Sequence, residues 1–144
     1  MKIKTFLFAL ITIFILITGV RCHEEPIVSD LYHTWKFSGF GNVINSSLEK
    51  ANPSDCEKCF TLTIATNGKV SGFSSTNTLS GIFYISSNKI DSVHVGGTKI
   101  YEQGNGEKYM EAINTIERYE LKNNKLKLYF NHGQNYLLFD YLHH

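Results

Sequence analysis

Apolar and polar residues alternate along most of this chain. Phe60-Thr61-Leu62-Thr63-Ile64 sets Phe60, Leu62 and Ile64 on one face and Thr61 and Thr63 on the other, the pattern of a half-buried strand. Asn67-Gly68 follows, a dipeptide that suits the positive φ of a tight hairpin, so Lys69–Phe73 should return antiparallel. Trp35 and Phe37 share one parity and predict a strand over His33–Phe40. Near the end, Leu126, Leu128 and Phe130 alternate with Lys125, Lys127 and Tyr129. This segment pairs with Tyr119–Lys122 through a turn at Asn123-Asn124, and Asn131-His132-Gly133-Gln134 turns the chain into a last strand, Tyr136–Leu142. Ile82-Phe83-Tyr84-Ile85 is continuously apolar and predicts a strand covered on both faces. Lys89–Val95 predicts another, ended by Gly96-Gly97. From Gly41 to Asp55 the polar composition predicts a long loop.

One segment follows a different period. Tyr109, Met110, Ile113 and Ile116 fall at helical spacing, with Glu107, Glu111 and Glu117 on the other side. They predict a helix of about three turns with Asn105 or Gly106 near its N-cap. Short strands with short connections make antiparallel meanders, and closing such a sheet removes its exposed edges. The fold class expected is α+β and mainly antiparallel β: a curved sheet or partly closed barrel of about seven or eight strands with one packed helix.

The N-terminus has another purpose. Lys2 and Lys4 precede an uncharged apolar run, Phe6–Val20, which ends at Arg21-Cys22. Its 15 residues fall short of the roughly 20 that cross a bilayer as a helix, so residues 1–21 read as an export signal, with an uncleaved membrane anchor as the alternative. Cys22 stands where a bacterial lipobox places its lipidated cysteine, although Arg21 and Gly19 depart from the usual residues there. Ordinary cleavage near Gly19 or after Cys22 is the other outcome. Residues 22–30 then form a polar tether, and residues 31–144 form the domain.

Composition adds mostly exclusions. The 144 residues suffice for one domain, and 19% charged with 13% aromatic residues does not describe a disordered chain. Removing residues 1–21 takes away Lys2, Lys4 and Arg21, which leaves 11 basic against 13 acidic residues and a net charge of −2. That balance carries no nucleic-acid footprint. No cofactor or metal is expected: the six histidines are scattered, and Cys56-x-x-Cys59 has no second ligand pair to complete a zinc site. His94 has a dyad with Glu102 or Asp91 as its alternative to an ordinary half-exposed strand histidine. In an oxidising compartment Cys56 and Cys59 pair as a staple between loop and strand; redox chemistry is the less favoured reading. Trp35, eight tyrosines and ten phenylalanines leave room for a second architecture, a lipocalin-like carrier of small apolar ligands.

The motifs resemble a known family. Leu31-x-x-Thr34-Trp35-x-Phe37 is similar to the opening of META/HslJ-like domains. Gly72, Asn77 and Gly81 stand at the spacing of their central signature, and Gly97-Thr98-Lys99-Ile100 resembles their later threonine motif. Cys56-x-x-Cys59 and the lysine- and asparagine-rich composition resemble an envelope-lipoprotein branch found in Bacteroidetes. Cysteines that the family often carries beside these motifs fall here at Thr76 and Glu102, which predicts that those two residues lie close together. The resemblance implies exported or stress-linked proteins, sometimes associated with virulence, and no agreed enzymatic activity. It therefore implies a non-catalytic domain in the bacterial envelope, anchored at the outer membrane or periplasmic. Such a domain would act in binding, structural support or stress tolerance, with an envelope protein or small ligand as partner.

Overall fold

The computed structural model describes residues 28–143, so the expected signal (1–21), the expected anchor Cys22 and most of the tether lie outside the described residues. The chain enters through a 3-10 turn, Val28–Leu31, which draws the last tether residues into the fold. Leu31 is buried beneath it, and its carbonyl accepts the Trp35 indole N–H at 2.9 Å.

Nine strands and one helix follow: β1 (Thr34–Asn42), β2 (Leu48–Lys50), β3 (Thr61–Ile64), β4 (Lys69–Phe73), β5 (Thr78–Ser86), β6 (Lys89–Gly97), α1 (Gly106–Ile113), β7 (Arg118–Lys122), β8 (Lys125–Phe130) and β9 (Asn135–Tyr141). Strands β3 to β9 neighbour one another in chain order, and β1 pairs with both β3 and β9, so the antiparallel sheet closes into a ring. One edge of β1 is shared: Thr34–Lys36 pair with β3, and Gly39–Gly41 with β2. The Asn123-Asn124 turn has φ of 54° and 58°, the conformation of a two-residue hairpin whose twist matches its strands.

The predicted class holds, with four adjustments. The polar stretch 41–55 contains β2, a strand exposed at all three positions; with no buried face it has no alternation to read. Phe60 points inward as predicted but precedes β3, with φ of 55°. The Ile82–Ile85 run is covered on one face only, since Phe83 is buried while Tyr84 is 50% exposed. Helix α1 has eight residues rather than three turns. It stops because Asn114 turns its amide back to Met110 O at 3.0 Å, and Ile116 reaches the core from beyond the helix.

The ring encloses one core. Tyr109 on α1 is fully buried, with ring centroids 5.0 Å from Phe37, 5.3 Å from Phe60 and 6.3 Å from Phe139. Its hydroxyl has no hydrogen-bond partner among the described residues, and burial pushes its pKa up. Trp35, Leu62, Leu126 and Leu137 fill the remaining interior, each at most 1% exposed. The space that a lipocalin-like carrier would reserve for ligand is here occupied by side chains.

Candidate functional site

Asn77 of the central signature meets the threonine motif where the chain leaves β6. Asn77 is 3% exposed and its amide acts as a short strand. Its Oδ1 accepts Thr98 Oγ1–H and the Ile100 N–H, both at 2.8 Å, and its Nδ2 donates to Ile100 O at 2.8 Å. Nδ2 also donates to Glu102 Oε1 at 2.7 Å. That carboxylate further accepts the hydroxyls of Ser74 and Ser75, and the Thr76 amide, which donates to Ser74 Oγ at 3.3 Å, also favours its charge. Burial works against the charge on Glu102, but these four donors outweigh it and hold its pKa below the usual range. Ser75 Oγ in turn accepts the Gln103 N–H at 2.8 Å.

Glu102 therefore docks the 98–105 segment onto the 74–77 turn and delivers the chain to α1. Gly106 opens that helix in contact with the cluster: a Cβ there would meet Ser75 Oγ and would stand 2.6 Å from Glu102 Oε2. Ser75 Oγ lies 3.3 Å from Thr76 Oγ1 and donates to Glu102, so Thr76 and Glu102 lie close together, as expected. Sequence reasoning selected Asn77, Thr98 and Gly97 but passed over Ser74 and Ser75, whose only signal is their place just before Asn77. Gly72 and Gly81 lie elsewhere on the sheet. At Gly72 (φ 155°) a Cβ would run into Thr61 O of β3, and at Gly81 into His94 O of β6. They are close-approach points between strands. His94 is exposed on β6, with Tyr84 as ring neighbour at 6.4 Å, and the Glu102 carboxylate is already engaged elsewhere.

The second cluster is the disulfide. Cys56 and Cys59 are bonded as expected, with Cα atoms 5.3 Å apart. Closing so short a loop contributes about 2 kcal/mol by loop entropy. The turn is also held from beneath: Lys36 Nζ donates to Cys56 O at 2.7 Å, to Glu57 O at 2.9 Å and to Cys59 O. Burial lowers the Lys36 pKa and Glu57 partly offsets it. Lys36 alternates with buried Trp35 and Phe37 and so points out of the ring, a role that its sequence neighbourhood does not announce.

The third feature is an open cleft of about 400 Å³ bordered by Asp30, His33, Trp35, Lys122, Asn124 and Tyr141, among others. Its aromatic wall is built edge to face: Tyr141 lies 4.9 Å from His33 and 5.7 Å from Trp35, ring centre to ring centre. The rim is mostly polar. Among the described residues no group of three or more histidine, cysteine, aspartate or glutamate side chains is placed to hold a metal ion.

The META domain model matches residues 30–141. The chain belongs to the META domain family. Among solved structures, the chain is similar to a protein from Burkholderia xenovorans, 22% identical, with a TM-score of 0.62 over 78% of this chain and 83% of that one. A DUF4847 family protein from Bacteroides vulgatus ATCC 8482 is 20% identical, with a TM-score of 0.58 over 76% of this chain and 92% of its own. At these identities the likeness is one of fold. None of the curated proteins matches the chain.

Proposed function

We propose that this META domain protein is exported, anchored through Cys22 to the outer membrane of a bacterial envelope, and acts there by binding or structural support rather than catalysis. It belongs, in this reading, to the Bacteroidetes-type lipoprotein branch, with an envelope protein or small ligand as partner. The observation that carries the non-catalytic part is the engagement of the Asn77–Glu102 cluster. Every donor and acceptor named there secures a turn or the 98–105 segment, so these polar groups serve architecture. The basic start, the apolar run Phe6–Val20 and Cys22 support export, and an oxidised Cys56–Cys59 pair suits an oxidising compartment. Should the domain bind a small ligand, the cleft beside Trp35 and Tyr141 is the surface that fits.

Mass spectrometry of the mature N-terminus tests the anchor. The expected result is an acylated Cys22 in the membrane fraction and release of the protein by Cys22→Ala. An unmodified terminus that lacks Cys22 would sink it.

A further inference from the structure

The Cys56–Cys59 turn carries more than a staple requires. The turn is held by more than the S–S bond: Lys36 holds three of its carbonyls, Thr61 Oγ1 donates to Lys58 O at 3.2 Å, and Phe60 N–H donates to Ser74 O at 3.0 Å. The Cys59 amide is aimed at Cys56 Sγ, 3.1 Å away. A disulfide sulfur gains little from such a donor, whereas a thiolate gains much more. Lys36 binds the carbonyls of both cysteines, so a positive charge sits against the backbone of the pair. The charged neighbours within the turn, Glu57 and Lys58, are both exposed, and both cysteines keep partial solvent access. Cys59 Sγ lies 3.1 Å from Ser75 O; being bonded to Cys56 it has no proton to donate, so this is a packing contact that leaves Cys56 as the sulfur with the donor.

We propose that Cys56–Cys59 is a thiol–disulfide exchange site that accepts two electrons from thiols, with Cys56 as the stabilised thiolate of its reduced form. A donor thiolate attacks Cys59 Sγ and forms a mixed disulfide. The Cys56–Cys59 bond breaks, and its electron pair leaves on Cys56, where the Cys59 amide and the Lys36 charge receive it. A second donor thiolate attacks the donor sulfur of the mixed disulfide. Cys59 leaves as a thiolate and takes a proton from water, and the donor pair departs as a disulfide. A sulfur whose thiolate is stabilised leaves faster, so the same contacts speed reduction and favour the dithiol. The site needs neither the anchor nor the ligand of the functional reading above.

The test uses the full chain carrying Cys22→Ala, so that no third thiol interferes. With Cys59→Ser added, thiolate absorbance should titrate Cys56 about one unit or more below the ordinary thiol value of about 8.5. Adding Lys36→Met should raise that midpoint by about one unit, and Lys36→Arg should restore most of the difference. With both cysteines intact, glutathione should reduce the pair at millimolar concentration, and Lys36→Met should shift the equilibrium about tenfold toward the disulfide. A Cys56 midpoint at or above about 8.5 overturns the proposal. So does a pair that stays oxidised in about a thousandfold excess of reduced over oxidised glutathione, a measurement that does not depend on how the Lys36 variants fold.

Discussion

Between β8, β9 and β1 the ring is a continuous ladder: Lys125 to Phe130 pair with Asp140 to Asn135, and β9 pairs with β1 from Trp35 to Asn42 across one bulge. Between β6 and β7 the register contains a single pair, Lys89 with Arg118. Side chains and isolated backbone bonds replace the ladder there. The Val95 N–H is accepted by Asn114 Oδ1 at 3.0 Å, Ile90 N–H by Glu117 O at 2.9 Å, and the segment leaving β6 is clasped by Asn77 and Glu102. A ladder spreads its stabilisation over many equivalent bonds, so loss of one is local. A clasp concentrates it in a few side chains, each of which gives up more than one hydrogen bond when removed.

That contrast can be broken at graded cost. Phe139→Ala, on the ladder side and fully buried against Phe37 and Tyr109, should cost about 3–5 kcal/mol in a denaturant melt; a loss below about 1 kcal/mol would mean that the core is not closed there. Asn77→Ala removes four hydrogen bonds of the clasp and should cost about 2–3 kcal/mol, with amide exchange quickening at Ile100 ahead of the β8–β9 amides. Asn114→Ala should cost about 1 kcal/mol, and its signature is faster exchange at Val95 alone. If β8 and β9 amides quickened equally, the junction would be no weaker than the ladder.

The smallest effect is one of pH. Glu102 has a folded pKa below its unfolded value near 4.5. Its contribution is therefore complete above about pH 4.5 and is lost as pH falls through the lower folded value. The melting-temperature gap between the wild type and Glu102→Gln should narrow from pH 7 to pH 3. A gap that stayed constant would remove Glu102 from the clasp. Asp140 behaves alike on the ladder side: burial raises its pKa, but Lys125 and Ser38 more than compensate.

Much of the fold was legible before any coordinates. The alternation around Leu62 and Leu128, the Asn123-Asn124 hairpin and the helical spacing of Tyr109 and Ile113 are local properties, and local periodicity reports which face is buried. Strand β2 was not legible, since a strand exposed on every residue carries no such signal. The N-terminal end of α1 falls at Asn105 as expected, whereas its C-terminal end comes early because Asn114 is recruited by Val95. Asn105 makes no side-chain cap bond; its Oδ1 instead accepts the Asn52 N–H at 2.9 Å.

The candidate site divides the same way. Asn77, Thr98 and the cysteine pair were selected by motif and spacing, and the closeness of Thr76 to Glu102 followed from the family resemblance. The use of the Glu102 carboxylate, the three carbonyls on Lys36 and the Asn114 clasp became visible only in three dimensions. By itself the sequence determined every strand but β2, the helix and the family, because those depend on residues a few positions apart. Tertiary structure decided that β1 meets β9, which joins Trp35 to Tyr141, and that the opposite seam is held by a few backbone bonds and by side chains such as Asn114. Which edges meet depends on how the whole sheet curves, and no local pattern encodes that curvature.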